Sequence, residues 1–87
     1  MNLIKAFNKA IDIIVNNRNI RYILINQDTL EINTFDCYYD YLLYIMHSKG
    51  SYIYLDFRLS KEHTKIVNGN FRQYKSPSIG LISIHAN

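Results

Sequence analysis

The sequence predicts a small α+β domain in which two helices pack on one antiparallel sheet. Three observations carry that prediction. A 3.6-residue apolar period runs through the first sixteen residues, a second helical stretch follows an acidic cap near residue 36, and clean two-residue alternation begins at Ser51. Eighty-seven residues support one modest core and one domain, taken as residues 1–87. Hydrophobic residues make up 48% and charged residues 20%, which is a globular rather than a disordered balance.

The first helix is expected over residues 2–16. Leu3, Ile4, Phe7, Ala10, Ile11, Ile14 and Val15 form a wide apolar sector, and Lys5, Asn8, Lys9, Asp12 and Asn16 form the polar stripe. Asn2 is placed to accept an orphan backbone N–H at the start. Asn16 and Asn17 supply a stop, through the left-handed conformation that asparagine tolerates. Asn19–Asn26 reads as an interior strand, because Ile20, Tyr22 and Leu24 lie on one face and Ile23 and Ile25 on the other. Gln27-Asp28 marks a turn, and Leu30–Thr34 returns antiparallel.

Asp36 is the expected cap of a second helix over Cys37–Ser48, with Gly50 closing its far end. Ser51–Leu59 places Ile53, Leu55, Phe57 and Leu59 on one face and Tyr52, Tyr54, Asp56 and Arg58 on the other. Polar Ser60–His63 reads as a turn. Thr64–Val67 and Asn70–Tyr74 flank Asn68-Gly69, a dipeptide suited to a type I′ hairpin. Ser76-Pro77-Ser78 breaks the chain before a last strand, Ile79–Ile84. The expected order is α-β-β-α-β-β-β-β, with both helices on one sheet face. The expected core is Leu3, Phe7, Ile11, Ile14, Ile23, Ile25, Leu42, Ile45, Ile53, Leu55 and Phe57.

Composition and charge bear on function. Ile, Asn, Tyr and Lys dominate, and these are the residues of A/T-rich codons. The bias points to an AT-rich microbe, or to a virus, phage or plasmid living in one. Residues 1–48 sum to −1, whereas residues 49–75 hold six cations against Asp56 and Glu62, a net +4. One cysteine, Cys37, permits no internal disulfide and fits a reducing compartment. No signal peptide and no membrane span are expected, because Lys5 interrupts the first turn and the longest apolar run is Tyr41–Met46. The reading is therefore a protein of the host-cell cytoplasm.

No catalytic, cofactor or metal set is expected. Glycine-rich phosphate loops, HExxH, CxxC and GxSxG are all absent from the sequence. Asp36, Asp40 and His47 share a helical face, but Asp40 and His47 are about 10 Å apart at 1.5 Å per residue, too far for one metal shell. Cys37 reads as a small buried hydrophobe, and His63 and His85 as isolated positions.

The informative constellation is aromatic and basic. Tyr52, Tyr54, Arg58, Lys61, Lys65, Arg72, Tyr74 and Lys75 are the expected partner-binding residues. Tyrosine and arginine concentrate at binding hot spots, and rings beside cations also stack and steer single-stranded nucleic acid. Lys49-Gly50-Ser51-Tyr52-Ile53-Tyr54 resembles the basic-Gly-aromatic start of an RNA-recognition-motif strand. It departs from that pattern by an extra residue after the glycine and by the helix–strand order. In size, codon bias and lack of motifs the chain also resembles the accessory proteins of phages and archaeal viruses, including anti-CRISPR proteins. That resemblance implies a stoichiometric inhibitor that docks on a host protein or ribonucleoprotein with an acidic surface. The alternative expectation is a single-stranded nucleic-acid binder. A homodimer through the strand around Asn70–Tyr74 is a further expectation, because an unpaired edge invites pairing.

Overall fold

The computed structural model describes the backbone of residues 2–17, 19–67 and 70–85; the side chains of residues 58–77 lie outside that description. The elements run α1 (Leu3–Asn16), β1 (Tyr22–Asn26), β2 (Ile32–Phe35), α2 (Tyr38–Met46), β3 (Lys49–Val67) and β4 (Asn70–His85). The four strands form one sheet in the order β2-β1-β3-β4, and every pairing is antiparallel. The α+β class is as the sequence predicts.

α1 starts as expected: Lys5 N donates to Asn2 Oδ1 at 2.9 Å. Its end differs. Asn17 is extended (φ −123°) rather than left-handed. The asparagines act through their side chains instead, Asn16 Nδ2 donating to Asp12 O at 2.9 Å and Asn17 Nδ2 to Ile13 O at 2.7 Å. These side-chain bonds fold the two asparagines back onto the last turn of α1.

The β1–β2 hairpin is set by Asn26. Its Oδ1 accepts from Asp28 N at 2.8 Å and Thr29 N at 3.0 Å, and its carbonyl accepts from Leu30 N at 2.8 Å. Closing this loop holds Leu30 at φ 63°, a left-handed conformation that costs a side-chain-bearing residue about 1–2 kcal/mol. Leu30 remains there while packing against the core under α1.

The two helices cover opposite faces of the sheet, which corrects the expectation of a single helical face. Ala6, Ala10 and Ile14 of α1 pack on Ile23, Ile25 and Leu55. Tyr41, Tyr44 and Ile45 of α2 pack on Leu24, Tyr52 and Ile84. Alternation makes this necessary. Consecutive residues Tyr22–Ile25 are all buried, so β1 needs cover on both sides. Burying Ile14, Ile23, Leu24, Ile25 and Leu55 contributes roughly 1.5–3 kcal/mol each. Leu42, expected in the core, is 37% exposed because it lies on the far side of α2.

The second half of the chain corrects the strand count. Ser51–Leu59 and Thr64–Val67 belong to one strand, β3, and Asn70–Tyr74 and Ile79–Ile84 to another, β4. Ser60–His63 does not turn. The irregularity is absorbed by a bulge: Asp56 pairs with Ser78 and Lys61 with Ser76, so Phe57–Ser60 oppose Pro77 alone. Proline has no N–H for a ladder and is at home in such a position on an edge strand. Asn68-Gly69 lies outside the described residues, although Val67 and Asn70 on either side of it are paired.

β1 pairs with β3 only from Tyr52 to Asp56. Beyond the bulge β3 has β4 alone as a neighbour. Lys61–Val67 with Asn70–Ser76 therefore form a two-stranded ribbon leaving the sheet, about 20 Å long at ~3.4 Å per residue.

Candidate partner-binding surface

α2 begins with Cys37, not Asp36, as its N-cap: Cys37 Sγ accepts from Asp40 N at 3.5 Å. The thiol is exposed rather than buried, because the cap position sits at the solvent end of the helix. Asp36, Cys37 and Asp40 bring their ligand atoms within 4.8 Å of one another, all exposed, and His47 is not in the group. Gly50, expected as a helix cap, opens β3 instead at φ 132°, a conformation that still calls for glycine.

The expected partner-binding residues separate into two sets. Tyr52 is 3% exposed and lies under α2. Its ring meets Tyr44 edge-on at 6.1 Å, and its hydroxyl donates to Lys49 O at 3.4 Å. Phe35 meets Tyr44 in a tilted pair at 5.3 Å, and Tyr41 stacks on Tyr22 at 4.8 Å. Burial first, and then the hydrogen bond with Tyr52, push the Tyr44 phenol up to about 12. These tyrosines thus build the interlayer core. Tyr54 is half-buried, directly opposite Gly80, with its ring over the glycine.

Arg58, Lys61, Lys65, Arg72, Tyr74 and Lys75 have their side chains outside the described residues, but their backbone register is set. Arg58 lies in the bulge, and the other five lie on the ribbon. In that register Lys61 pairs with Ser76, Glu62 with Lys75, His63 with Tyr74, Thr64 with Gln73, Lys65 with Arg72 and Ile66 with Phe71.

No family model, curated protein or solved structure matches this chain. The surface has to be read on its own chemistry. Concave features give little: a shallow depression of about 370 Å³ is lined by Asp28, Lys49, Gly50, Ser51, Ser83, Ile84 and His85. It brings His85 to Lys49 and Asp28, not to Cys37. No described helix is long and apolar enough to cross a membrane.

One surface escapes the sequence reading. Tyr39, Leu42, Leu43 and Met46 are exposed along the outer side of α2. Their i, i+3, i+4, i+7 spacing was the available signal. It is masked because α2 is apolar on its inner side as well.

Proposed function

We propose that this chain is a non-catalytic binding protein that docks on a host macromolecule through the basic β3–β4 ribbon. The supporting observation is the concentration of charge. Residues 58–76 hold Arg58, Lys61, Lys65, Arg72 and Lys75 against Glu62, a net +4, with Arg58 in the bulge and the others on the two-stranded ribbon that leaves the sheet. Lysines and arginines gathered in one short segment suit an acidic protein or ribonucleoprotein surface and raise the rate of encounter with it. The AT-rich codon bias supports a source in a mobile genetic element and a role as a host-directed inhibitor of the anti-CRISPR-like kind. A cationic inhibitor cannot imitate a nucleic acid, so it acts beside a cationic substrate channel or by locking a conformation.

Charge reversal tests this reading. Arg58→Glu with Arg72→Glu leaves the circular-dichroism spectrum intact and abolishes partner capture from host extract. Capture that survives the reversal but fails on replacing Lys5, Lys9 and Asp12 moves the contact to α1 and refutes the ribbon reading.

A second reading is favoured by the pairing of His63 with Tyr74 among the cations of the ribbon: the ribbon binds single-stranded nucleic acid. Buried Tyr52 then supports the sheet and stacks no base. This reading requires affinity for a labelled oligonucleotide that falls steeply with salt, since each neutralised phosphate releases counterions. Capture lost on nuclease treatment supports it over the protein-docking reading.

A further inference from the structure

α2 has two apolar faces, and the sheet needs only one of them. Tyr41, Tyr44 and Ile45 face the core. On the opposite side Tyr39 is 69%, Met46 61%, and Leu42 and Leu43 each 37% exposed. Four large apolar side chains side by side on a nine-residue helix are more than a small soluble domain needs to present.

We infer that this face seats a second copy of the chain, α2 against α2, antiparallel about a twofold axis between Leu42 and Leu43. Two features of this face select a second copy. The first is self-complementarity. Tyr39 and Met46 are equidistant from the midpoint of Leu42 and Leu43. A twofold axis there sets Leu42 level with Leu43 of the second copy and Tyr39 level with its Met46. The latter is an aromatic–thioether contact of the favourable kind. An isologous interface demands this property, and a foreign partner would not.

The second feature is charge. Exposed Asp36 and Asp40 lie at the N-terminal end of α2, and exposed His47 and Lys49 at its C-terminal end. Antiparallel packing brings the acidic end of each copy to the basic end of the other; parallel packing would juxtapose like charges. The helix dipoles favour the same arrangement.

The helix is short, about 13 Å at 1.5 Å per residue, so the contact is smaller than the ~1,200–2,000 Å² of a stable interface. The dimer is therefore concentration-dependent. It does not involve the ribbon and stands independently of the function proposed above.

Sedimentation equilibrium of the full chain over a wide concentration range tests the inference. The parent shows a reversible monomer–dimer equilibrium. Tyr39→Glu with Met46→Glu sets carboxylates level across the axis and raises the dissociation constant by about tenfold or more, ~1.4 kcal/mol. Tyr39→Glu with Met46→Lys restores association, because each new carboxylate meets the other copy's ammonium. The three substitutions fall on two exposed positions of the helix and leave the circular dichroism unchanged. A parent that stays monomeric at the highest attainable concentration overturns the inference. So does a dimer that withstands the double glutamate variant, which would assign the contact to another surface such as the β4 edge. Failure of the Glu/Lys variant to recover association overturns the antiparallel register. As an independent check, Leu42→Cys in a Cys37→Ser background forms an intermolecular disulfide under mild oxidation; its absence counts against the axis.

Discussion

Gly80 and Tyr54 should behave as one unit. They are directly opposite on β4 and β3, and the tyrosine ring lies over the glycine. A Cβ built on Gly80 would stand 2.7 Å from Tyr54 Cε1 and Oη and 2.8 Å from Cζ. Comfortable carbon–carbon contact begins near ~3.5 Å, so alanine forces the ring aside by close to an ångström. Displacing a packed ring costs roughly 1–3 kcal/mol. The gain from replacing a strand glycine by alanine is about 0.5–1 kcal/mol. Gly80 has no positive φ that would oppose alanine on backbone grounds. Gly80→Ala should therefore destabilise the parent by about 1 kcal/mol. In a Tyr54→Ala background the overlap is gone, and the same substitution should stabilise by about 0.5–1 kcal/mol. Urea unfolding followed by circular dichroism measures all four corners of the cycle, provided the slope with urea is unchanged. In a domain of this size ~1 kcal/mol moves the melting temperature by about 4–8 °C. An identical effect of Gly80→Ala in both backgrounds would refute the seating of the ring on the glycine.

Leu30 yields a reversal of the usual ranking. Leu30→Gly and Leu30→Ala both remove the side chain, but only glycine accepts φ 63° freely. Thermal melts should therefore rank the glycine variant about 1 kcal/mol above the alanine one. Tyr44 sets an alkaline dependence. Its phenol, ordinarily near 10, is pushed up to about 12, so the folded state holds a proton that the unfolded chain has released. The resulting stability is present below pH ~10 and is lost as pH rises through about 12. Tyr44→Phe should remove a tyrosinate absorbance change near pH 12 and flatten stability across that window; an unchanged alkaline titration would contradict the assignment.

Much of the fold is legible in the residues, and the failures have physical causes. α1 can be read because its polar stripe is narrow and Asn2 has the chemistry of a cap. The side chosen by α2 cannot be read in the same way. β1 announces that it is buried on both faces, but the face taken by α2 follows from the handedness of its crossover between β2 and β3, which run parallel on either side of β1, and that strand order is not written in the residues. Tyr52 misleads because tyrosine suits a wet face and a buried one alike, and only the partner layer decides between them. The ribbon defeats pattern reading for a different reason. Ser60–His63 is polar and looks like a turn, yet β3 runs straight through it, and the register shift opposite Pro77 interrupts the two-residue period. The outer stripe of α2 is hidden by the apolar residues that face inward beside it.

The ribbon also changes what this chain can tolerate in its own length. Past the bulge at Phe57–Ser60, no rung of the β3–β4 ladder is tied to β1. Rungs such as Thr64 with Gln73 can be removed or added in successive pairs, two rungs at a time, without shifting a residue of either core layer. The arm would shorten or lengthen in steps of about 7 Å while the alternation of the remaining positions stayed in phase. Loss of one residue from one strand does the opposite, since it moves every position beyond it to the other face. Reach and charge pattern are thus separable from stability in this domain. Variants of the arm can be exchanged on a fixed scaffold, a property useful to any protein whose target keeps changing.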